Sequence, residues 1–507
     1  MTRISRRSIL AGVASSALAG CQPEGLSLSR LNPLARREEP TRPLERALAA
    51  AATPRSFPPA QRGVDLAEAL TRGDLPGFAA MPALEAYVNA VARRLAEPLE
   101  NLGLPLRCEI LASRDPGAFA YPSGLILLTH GLFKEIDSED ALAFLLGHEI
   151  GHIALRHHDA GFLDRMRSYA MLGIETYFAF KVGREGGAAG FPSWIAASYA
   201  ANIVGRDLIA PSWTRSQEDD ADKMGVDLMV SAGYNVSAVG AAMDLLARAE
   251  HAFGYKTSTE LTFAEEALMR ENEALKVQAS TQQGANPLAT ALTGAIDGVG
   301  KALEGARRSH RPPAERAALA QTYMDAEYPD APETALRRAP FAAALAQRQT
   351  ADAYRLYEAA QRLRRDHMQL SQAQFDRQIR DLAAGVGTRD NYVQHAIASA
   401  QTERQRIDRA MAHYTAATGD SRPGGLAFLR LANWHANENR PREALAGLAR
   451  IVELYGESAG VLLERLRCQR LANLSAETLE TLARCTTQRP ELARQCQRVL
   501  AETRPLG

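Results

Sequence analysis

The chain has 507 residues, of which 46% are hydrophobic and 23% are charged, so it can bury sizeable cores and is long enough for two or three domains. Its 59 basic and 59 acidic residues cancel. The chain therefore lacks the strongly basic composition that is typical of nucleic-acid-binding proteins, and we expect no bound nucleic acid.

Residues 1–20 have the features of an export signal. Arg3, Arg6 and Arg7 form a basic head, and a short apolar run extends from Ser8 to Ala19. The run is too short to cross a bilayer as a permanent helix. We therefore expect this segment to be removed and to contribute nothing to the fold.

The end of the signal, Leu18-Ala19-Gly20-Cys21, resembles a bacterial lipobox, which implies that Cys21 becomes a lipidated N-terminus. An ordinary signal peptide with an incidental cysteine is the alternative. The run from Ser5 to Leu10 also resembles a twin-arginine signal, so that route and the general export route both stay open. Gln22 after the cysteine resembles lipoproteins that continue to the outer membrane, with the body of the protein facing the periplasm.

Residues 21–61 are predicted to be a tether. Their apolar residues are too scattered to build a core, apart from a few helical residues around Leu44 to Ala52. Seven prolines interrupt any longer regular element: Pro23, Pro33, Pro40, Pro43, Pro54, Pro58 and Pro59.

Regular elements begin after the tether. Helical spacing of apolar residues predicts an amphipathic helix from Pro82 to Leu102. Two short strands are predicted at 107–112 and 118–129, the second broken by Pro122-Ser123-Gly124. If the second strand is an exposed edge beside a catalytic cleft, the backbone of an extended substrate peptide can pair with it. This mode of binding depends little on the side chains of the substrate.

The next helix, which we expect to begin near Ser138 with a capping serine, contains the most informative motif of the chain. His148 and His152 are four residues apart and therefore project from one face of a helix, with Glu149 beside them. This is the H-E-x-x-H geometry of a zinc hydrolase, in which two imidazoles supply half of a catalytic site. A helix with two ordinary histidines is the competing interpretation.

The stretch from Leu163 to Trp213 is apolar and rich in small residues, and we predict a helical hairpin that borders the active-site mouth or belongs to the structural core. After it, Glu218 and Asp222 are again four residues apart. Glu218 can complete a His-His-Glu metal site, and Asp222 can accept the free N–H of a ligand imidazole. A solvated acidic helix start is the alternative for this second pair.

At this point the chain resembles a known family. The H-E-x-x-H helix followed by R-x-x-E-x-x-A-D-x-x-G, from Arg215 to Gly225, is similar to the zinc endopeptidases related to the CAAX-prenyl protease and to the periplasmic BepA-like proteases (peptidase family M48). The stretch from Gly117 to Leu127 looks like the family's N-A-F-x-x-P-x-G strand element, with Gly117 where asparagine is usual. Arg156-His157, directly after the predicted zinc helix, looks like the Arg-His pair of the family. The resemblance covers roughly residues 66–319.

A last family-like segment follows a long insert at 251–308. Ser309 to Arg316 resembles S/T-H-P-x-x-x-x-R, except that Arg311 replaces the proline. The resemblance implies a role for His310, which could cap the zinc in a latent state or donate to the reacting carbonyl oxygen. Arg316 could anchor the segment by pairing with an acidic group. A loop residue without a catalytic role is the alternative for His310.

From Phe341 onward the spacing of apolar residues predicts helices. The clearest unit, Leu426 to Tyr455, has large and small residues at the positions of a tetratricopeptide repeat, with Ala432 and Ala444 allowing a tight helix crossing. The stretches 352–382 and 461–500 look like degenerate repeats. Such a solenoid offers a concave surface for extended chains or partner helices.

The expected fold is mainly α with a small β element: an α+β zincin-type protease domain at residues 62–335, followed by an α-helical, tetratricopeptide-like domain at 336–507. Besides Cys21, the chain has four cysteines. Cys485 and Cys496 could staple neighbouring helices, although the pairing among Cys108, Cys468, Cys485 and Cys496 cannot be deduced from sequence.

The function implied is that of a gluzincin-type zinc metalloendopeptidase, with one Zn²⁺ per chain held by His148, His152 and Glu218 and with Glu149 as general base. Its expected substrates are unfolded or misassembled envelope proteins, and its helical domain could contact the outer-membrane assembly machinery. The competing hypothesis is a lipid-anchored periplasmic chaperone or assembly factor with a latent metal site.

Overall fold

The computed structural model describes residues 42–50, 77–114, 116–157, 215–253, 313–331, 334–457, 459–488 and 492–503. Within these residues the protein is mainly helical and contains one small three-stranded sheet, which confirms the predicted fold class. Several predictions concern parts of the chain outside the described residues: the signal peptide, Cys21, the hairpin at 163–213, most of the insert at 251–308, and His310.

Residues 43–327 contribute the sheet and the helices around it. These elements are α1 (Pro43–Ala49), α2 (Pro82–Ala96), β1 (Arg107–Leu111), β2 (Ala118–Ala120), β3 (Leu125–Thr129), α3 (Glu139–Ala154), α4 (Arg215–Ser231), α5 (Ala238–Phe253) and α6 (Pro313–Glu327).

Residues 338–502 contribute helices, most of them arranged as consecutive hairpins. They are α7 (Arg338–Ala346), α8 (Arg348–Asp366), α9 (Gln372–Leu382), α10 (Asn391–Glu403), α11 (Ile407–Ala417), α12 (Gly425–Asn437), α13 (Pro441–Tyr455), α14 (Ala459–Leu471), α15 (Ser475–Thr487) and α16 (Ala493–Glu502). The helix pair predicted from Leu426 to Tyr455 corresponds to α12 and α13. Its assignment to the tetratricopeptide family stays a prediction.

The sheet has the order β1-β3-β2, with β3 parallel to β1 and antiparallel to β2. The predicted single strand at 118–129 is therefore two strands, joined by a turn in which Gly124 has a φ of +83°. Strand β3 lies at the centre of the sheet with all five residues buried, so residues 125–129 do not meet the condition of an exposed edge. Only β2 lies at the edge of the described sheet on that side.

The two faces of β3 pack against different parts of the protein. Ile126 and Leu128 belong to the large core that includes α2, α3 and α4. Leu125 and Leu127 face a second cluster, which contains Tyr455 from the end of α13. A strand that is covered on both faces has no room for polar side chains, which explains its continuous apolar sequence.

Helices α3 and α4 cross closely because glycines lie at the contact. A Cβ added to Gly147 would be 3.0 Å from the Cα of Gly225, and one added to Gly151 would be 3.1 Å from the Cβ of Met224. Helix α3 begins at Ser138, whose hydroxyl accepts a hydrogen bond from the N–H of Ala141 as predicted. The crossing brings the motif faces of both helices together.

Helix α1 corrects the prediction for the tether. Its residues lie in the segment expected to lack packed structure, yet Ala47 is buried and the N–H of Leu44 donates to a carboxylate oxygen of Asp227 at 3.0 Å. The hydroxyls of Tyr323 and Tyr328 donate to the other oxygen of Asp227 at 2.7 and 2.8 Å. The helix expected around Leu44 to Ala52 is therefore present, but the chain at 43–49 packs on the metal-motif helix α4 and is not part of a free tether.

The predicted domain boundary at 335/336 does not interrupt the core. Phe341, Tyr357 and Phe375 belong to the same buried cluster as α2, β3 and α3. The backbone of Gly77 also bridges to Pro423, and Tyr455 donates to the carbonyl of Pro423 at 2.7 Å. The first helical hairpins thus pack directly on the sheet and on the helices around it.

Near the C-terminus, a disulfide joins Cys485 of α15 to Cys496 of α16, while Cys108 and Cys468 are buried free thiols. Among the described helices, none combines the length and the apolar composition that a membrane crossing requires.

His130 lies at the junction between the sheet and the C-terminal helices. Its ring is 2% exposed and is surrounded by Tyr354, Tyr357 and Tyr392 at centroid distances of 5.9, 5.0 and 5.3 Å. Its Nδ1 has no hydrogen-bond partner among the described residues. Burial, together with the nearby Lys134 ammonium, lowers the pKa of His130 to about 3.

We predict that replacing His130 by Phe makes stability less sensitive to acid. Because the unfolded histidine titrates near its usual pKa of about 6.5, the unfolded chain binds a proton at pH 5 that the folded chain does not bind. This difference costs the wild type about 2 kcal/mol of unfolding free energy between pH 7 and pH 5. Urea unfolding at both pH values measures it, and an equal loss in H130F and wild type would contradict the assignment.

Candidate metal centre

The three predicted ligands converge at the crossing of α3 and α4. The Nε2 atoms of His148 and His152 are 3.1 Å apart. The carboxylate oxygens of Glu218 lie 3.8 Å from the Nε2 of His148 and 3.9 Å from that of His152. These residues form a cluster that could hold a metal ion, with one ligand atom from each residue within 4.8 Å of the others.

The donor set fits a zinc ion. Four ligands at 2.0–2.1 Å in a tetrahedron lie roughly 3.3 Å from one another, close to the separations found here. Two imidazole nitrogens and one carboxylate leave a coordination position for a water, as in catalytic and not in structural zinc sites. His152 and Glu218 are buried and His148 is half-buried, so the cluster lies inside the described part of the protein.

Asp222 orients the first imidazole. Its Oδ1 lies 2.9 Å from Nδ1 of His148, so Nδ1–H of His148 donates to the carboxylate and leaves the Nε2 lone pair free for a metal. Although burial opposes it, the ion pair with Arg316 lowers the pKa of Asp222 to about 2. The carboxylate is therefore ionised and acts as an acceptor at any physiological pH.

Arg316 connects the two acidic residues of α4. Its Nε and Nη2 donate to the two oxygens of Asp222 at 2.9 and 2.7 Å, a bidentate pair. Its Nη1 lies 3.1 Å from Oε2 of Glu218. The predicted anchoring of this segment by Arg316 thus agrees with the geometry, and α6 is attached to the metal-motif helix through a buried guanidinium.

His157 contacts the imidazole of His152, and the sequence motifs did not predict this interaction. Arg156 follows the end of α3 with a φ of +57°, and this turn places His157 beside the helix. Nδ1 of His157 lies 2.9 Å from Nδ1 of His152, and its carbonyl accepts from Nε2 of Gln217 at 3.1 Å. His157 therefore links His152 of α3 to the residue that precedes Glu218 on α4.

Glu149 lies next to the ligand cluster and is half-buried. Burial raises the pKa of its carboxyl to about 7, and the charge of Glu218 adds to the rise. The backbone N–H of Ala120 hydrogen-bonds to this carboxylate, which places the edge strand β2 against the side chain predicted to act as base. A carboxyl group with this pKa can both accept and release a proton near neutrality.

At Gly117, where the chain departs from the family pattern, the structure shows what fills the space beside the glycine. A Cβ at this position would lie 2.6 Å from Cζ of Phe119, so the ring of Phe119 occupies the space that a side chain at 117 would need. An asparagine, which the family pattern has here, would require that ring to move. His310 lies outside the described residues, and its role stays a prediction.

Comparisons with known proteins agree with this geometry. Residues 82–322 match the family model of Peptidase family M48. The chain is 24% identical over 165 residues to the beta-barrel assembly-enhancing protease of Escherichia coli strain K12, covering 32% of this chain and 33% of that protein. It is 26% identical over 148 residues to the metalloprotease LoiP of the same organism, covering 29% and 54%.

A mitochondrial relative shows a similar match. The metalloendopeptidase OMA1 of Arabidopsis thaliana is 27% identical over 129 residues, covering 25% of this chain and 23% of that protein. The matched region spans about a third of the length of the beta-barrel assembly-enhancing proteases. The residues that match the family model, 82–322, include the ligand cluster.

We predict that replacing His157 by Ala lowers zinc affinity by about 10- to 100-fold, because His152 loses the group that fixes its tautomer and orientation. Competition with a chromogenic chelator measures the affinity. His413, which contacts Gln394 far along the chain, provides the matched control, and H413A is expected to bind zinc as the wild type does. Unchanged affinity in H157A would show that His157 does not position the ligand.

Proposed function

We propose that this protein is a zinc-dependent endopeptidase of the bacterial cell envelope that cleaves unfolded or misassembled proteins. The match of residues 82–322 to the family model of Peptidase family M48 supports this proposal. The observation that carries the proposal is the convergence of His148, His152 and Glu218, with Glu149 beside them. A purely structural zinc site would need a fourth protein ligand and no adjacent base.

The chemistry divides between the metal and one carboxylate. Zinc, when bound, supplies a Lewis acid that polarises the attacking water and the scissile carbonyl. Glu149 accepts the proton of that water and later gives it to the nitrogen of the leaving amine. His148, His152 and Glu218 would hold the ion, and Asp222 and His157, which lie 2.9 Å from Nδ1 of His148 and of His152, would keep the two imidazoles in the required tautomers.

The proposed substrate is an extended polypeptide. Strand β2 is at the edge of the described sheet, and Ala120 in this strand contacts Glu149. A peptide that lies along this edge would present its backbone to the catalytic carboxylate, and backbone pairing reads little side-chain sequence. Unfolded segments of many proteins meet this requirement, whereas folded segments do not expose their backbone.

The envelope location and the partners rest on the sequence signals and on the relatives. The lipobox-like cysteine at position 21 supports a lipid anchor, and the name of the Escherichia coli relative refers to beta-barrel assembly. We therefore propose a periplasm-facing lipoprotein of the outer membrane whose C-terminal helices contact misassembled envelope proteins or the assembly machinery. His310 is proposed to cap the zinc in a latent state or to support the reacting carbonyl oxygen.

A second candidate function is that of a tethered chaperone or assembly factor with a latent metal site. It is supported by the length of the C-terminal helical region, which extends to residue 502 in the described part of the chain. The two functions are compatible, because a surface that holds unfolded chains could deliver them to the metal centre.

We predict that replacing Glu149 by Gln leaves zinc binding intact but lowers the rate of casein cleavage by more than about a hundredfold, the lower end of what a general base contributes. The side chain keeps its size and loses only its ability to accept a proton. Zinc content by mass spectrometry and cleavage by gel are measured on the same preparations, with and without a chelator.

His148→Ala provides the comparison, because this variant should lose zinc and cleavage together. Zinc retained at full stoichiometry in H148A would contradict the ligand assignment. Cleavage by E149Q at the wild-type rate would contradict the role of the base.

A further inference from the structure

The two edges of the sheet differ in the part of the chain that the structure describes. Beyond β1, the backbone at 77–79 pairs with the strand. The N–H of Ala79 donates to the carbonyl of Ile110, and the N–H of Ala112 donates to the carbonyl of Gly77, both at 2.8 Å. Strand β2 forms the other edge. Of the two described edges, β2 is therefore the one that an added strand could use.

The backbone groups of β2 alternate in direction. The carbonyl of Gly117 and the N–H of Tyr121 form hydrogen bonds to β3 at 3.0 and 2.9 Å. Because the direction alternates from residue to residue, the backbone groups of Ala118 and Ala120 point to the open edge. The hydrogen bond from the N–H of Ala120 to the carboxylate of Glu149 agrees with this direction.

The side chains of β2 alternate between the two faces of the sheet. Ala118 and Ala120 pack against the large core, which contains the metal-motif helix α3. Phe119 packs on the other face, against the second cluster that includes Leu127 and Tyr455. A peptide paired with β2 would alternate in the same way. Its residue opposite Phe119 would therefore direct its side chain to the face of the ring, one residue away from the part of the peptide beside Ala120.

The ring of Phe119 leans along its own strand and covers Gly117. A Cβ added to Gly117 would lie 2.6, 3.1 and 3.5 Å from Cζ, Cε2 and Cε1 of this ring. The φ of Gly117 is not in the left-handed region, so the backbone itself does not require glycine there. The missing side chain thus makes room for the ring. Phe119 is only half-buried, so part of its apolar surface stays exposed beside the open edge.

We propose that Phe119 determines specificity in the proposed peptidase by contacting an apolar side chain of a substrate strand paired with β2. Side chains that lie opposite each other on paired strands have Cβ atoms about 4.5–5.5 Å apart, which is within contact of an aromatic ring. The contact removes apolar surface of both partners from water, whereas a polar side chain gains nothing from it.

The occupant is an apolar residue of an extended polypeptide, and this assignment rests on the proposed function, in which such chains are the substrates. Backbone pairing alone accepts almost any sequence. The ring adds a preference for the apolar segments that unfolded proteins expose and folded proteins bury. The floor under the ring includes Tyr455 from the end of α13, so the C-terminal helices support this surface.

The test uses the full-length protein with Glu149→Gln, so that bound peptides are not cleaved. Two fluorescent ten-residue peptides of small polar residues are compared by anisotropy, and they differ only in one central residue, leucine or serine. The readout is the ratio of the two dissociation constants, because the backbone pairing common to both peptides cancels. We expect the leucine peptide to bind about fivefold more tightly, as partial burial of one leucine side chain allows.

Two variants in the same background test the ring. Phe119→Ala removes it and should bring the ratio close to one. Gly117→Asn keeps the ring but places a side chain in the space that it occupies, so the ratio should also fall. Leu445→Ala is the matched control, because Leu445 is a half-buried apolar residue of α13 that packs against a different cluster. Its ratio should equal that of the parent.

Three results would overturn the proposal. They are equal or undetectable binding of the two peptides by the parent, a ratio in F119A or G117N that equals the parent's, and a fall in L445A as large as that in F119A. Casein cleavage by the zinc-loaded wild-type protein is measured separately. Leucine-dependent binding without cleavage would leave the role of Phe119 in place and reject the proposed protease function. Cleavage without leucine-dependent binding would reject the role of Phe119 alone.

Discussion

The close crossing of α3 and α4 is the constraint on which the rest of the structure depends. Gly147 meets Gly225 so closely that a Cβ added to Gly147 would lie 3.0 Å from the Cα of Gly225, and a side chain there would push the two helices apart by a few tenths of an ångström. Because the helices approach so closely, side chains as short as histidine and glutamate can reach a common point from both of them. The sheet, the surrounding helices and the buried core serve to hold this crossing in place.

Buried charges then connect the crossing to its surroundings. Arg316 ties α6 to Asp222 and Glu218, and on the opposite end of α4 Asp227 receives hydrogen bonds from Leu44, Tyr323 and Tyr328. Each of these acidic groups is paired, which is the condition under which burial of charge is tolerated. Helix α4 is therefore fixed by contacts on both sides, and its ligand carboxylate has little freedom to move away.

The metal ligands could be predicted because helical periodicity alone places residues four apart on one face. The same reasoning located the helices, the capping Ser138 and the strands. It failed where the outcome depends on contacts between distant parts of the chain. The position of His157 requires the left-handed turn at Arg156. Helix α1 is held in place by the hydrogen bond from the N–H of Leu44 to the carboxylate of Asp227. Likewise, the 118–129 stretch folds back at Gly124, and the core continues past residue 336, because tertiary packing decides both.

The most direct test of this account is a crystal structure of the zinc-loaded protein with anomalous diffraction data collected on both sides of the zinc absorption edge. The account predicts one zinc peak, bounded by Nε2 of His148, Nε2 of His152 and a carboxylate oxygen of Glu218 at about 2.0–2.2 Å. Zinc ligated elsewhere in the chain, or no peak between α3 and α4, would contradict it.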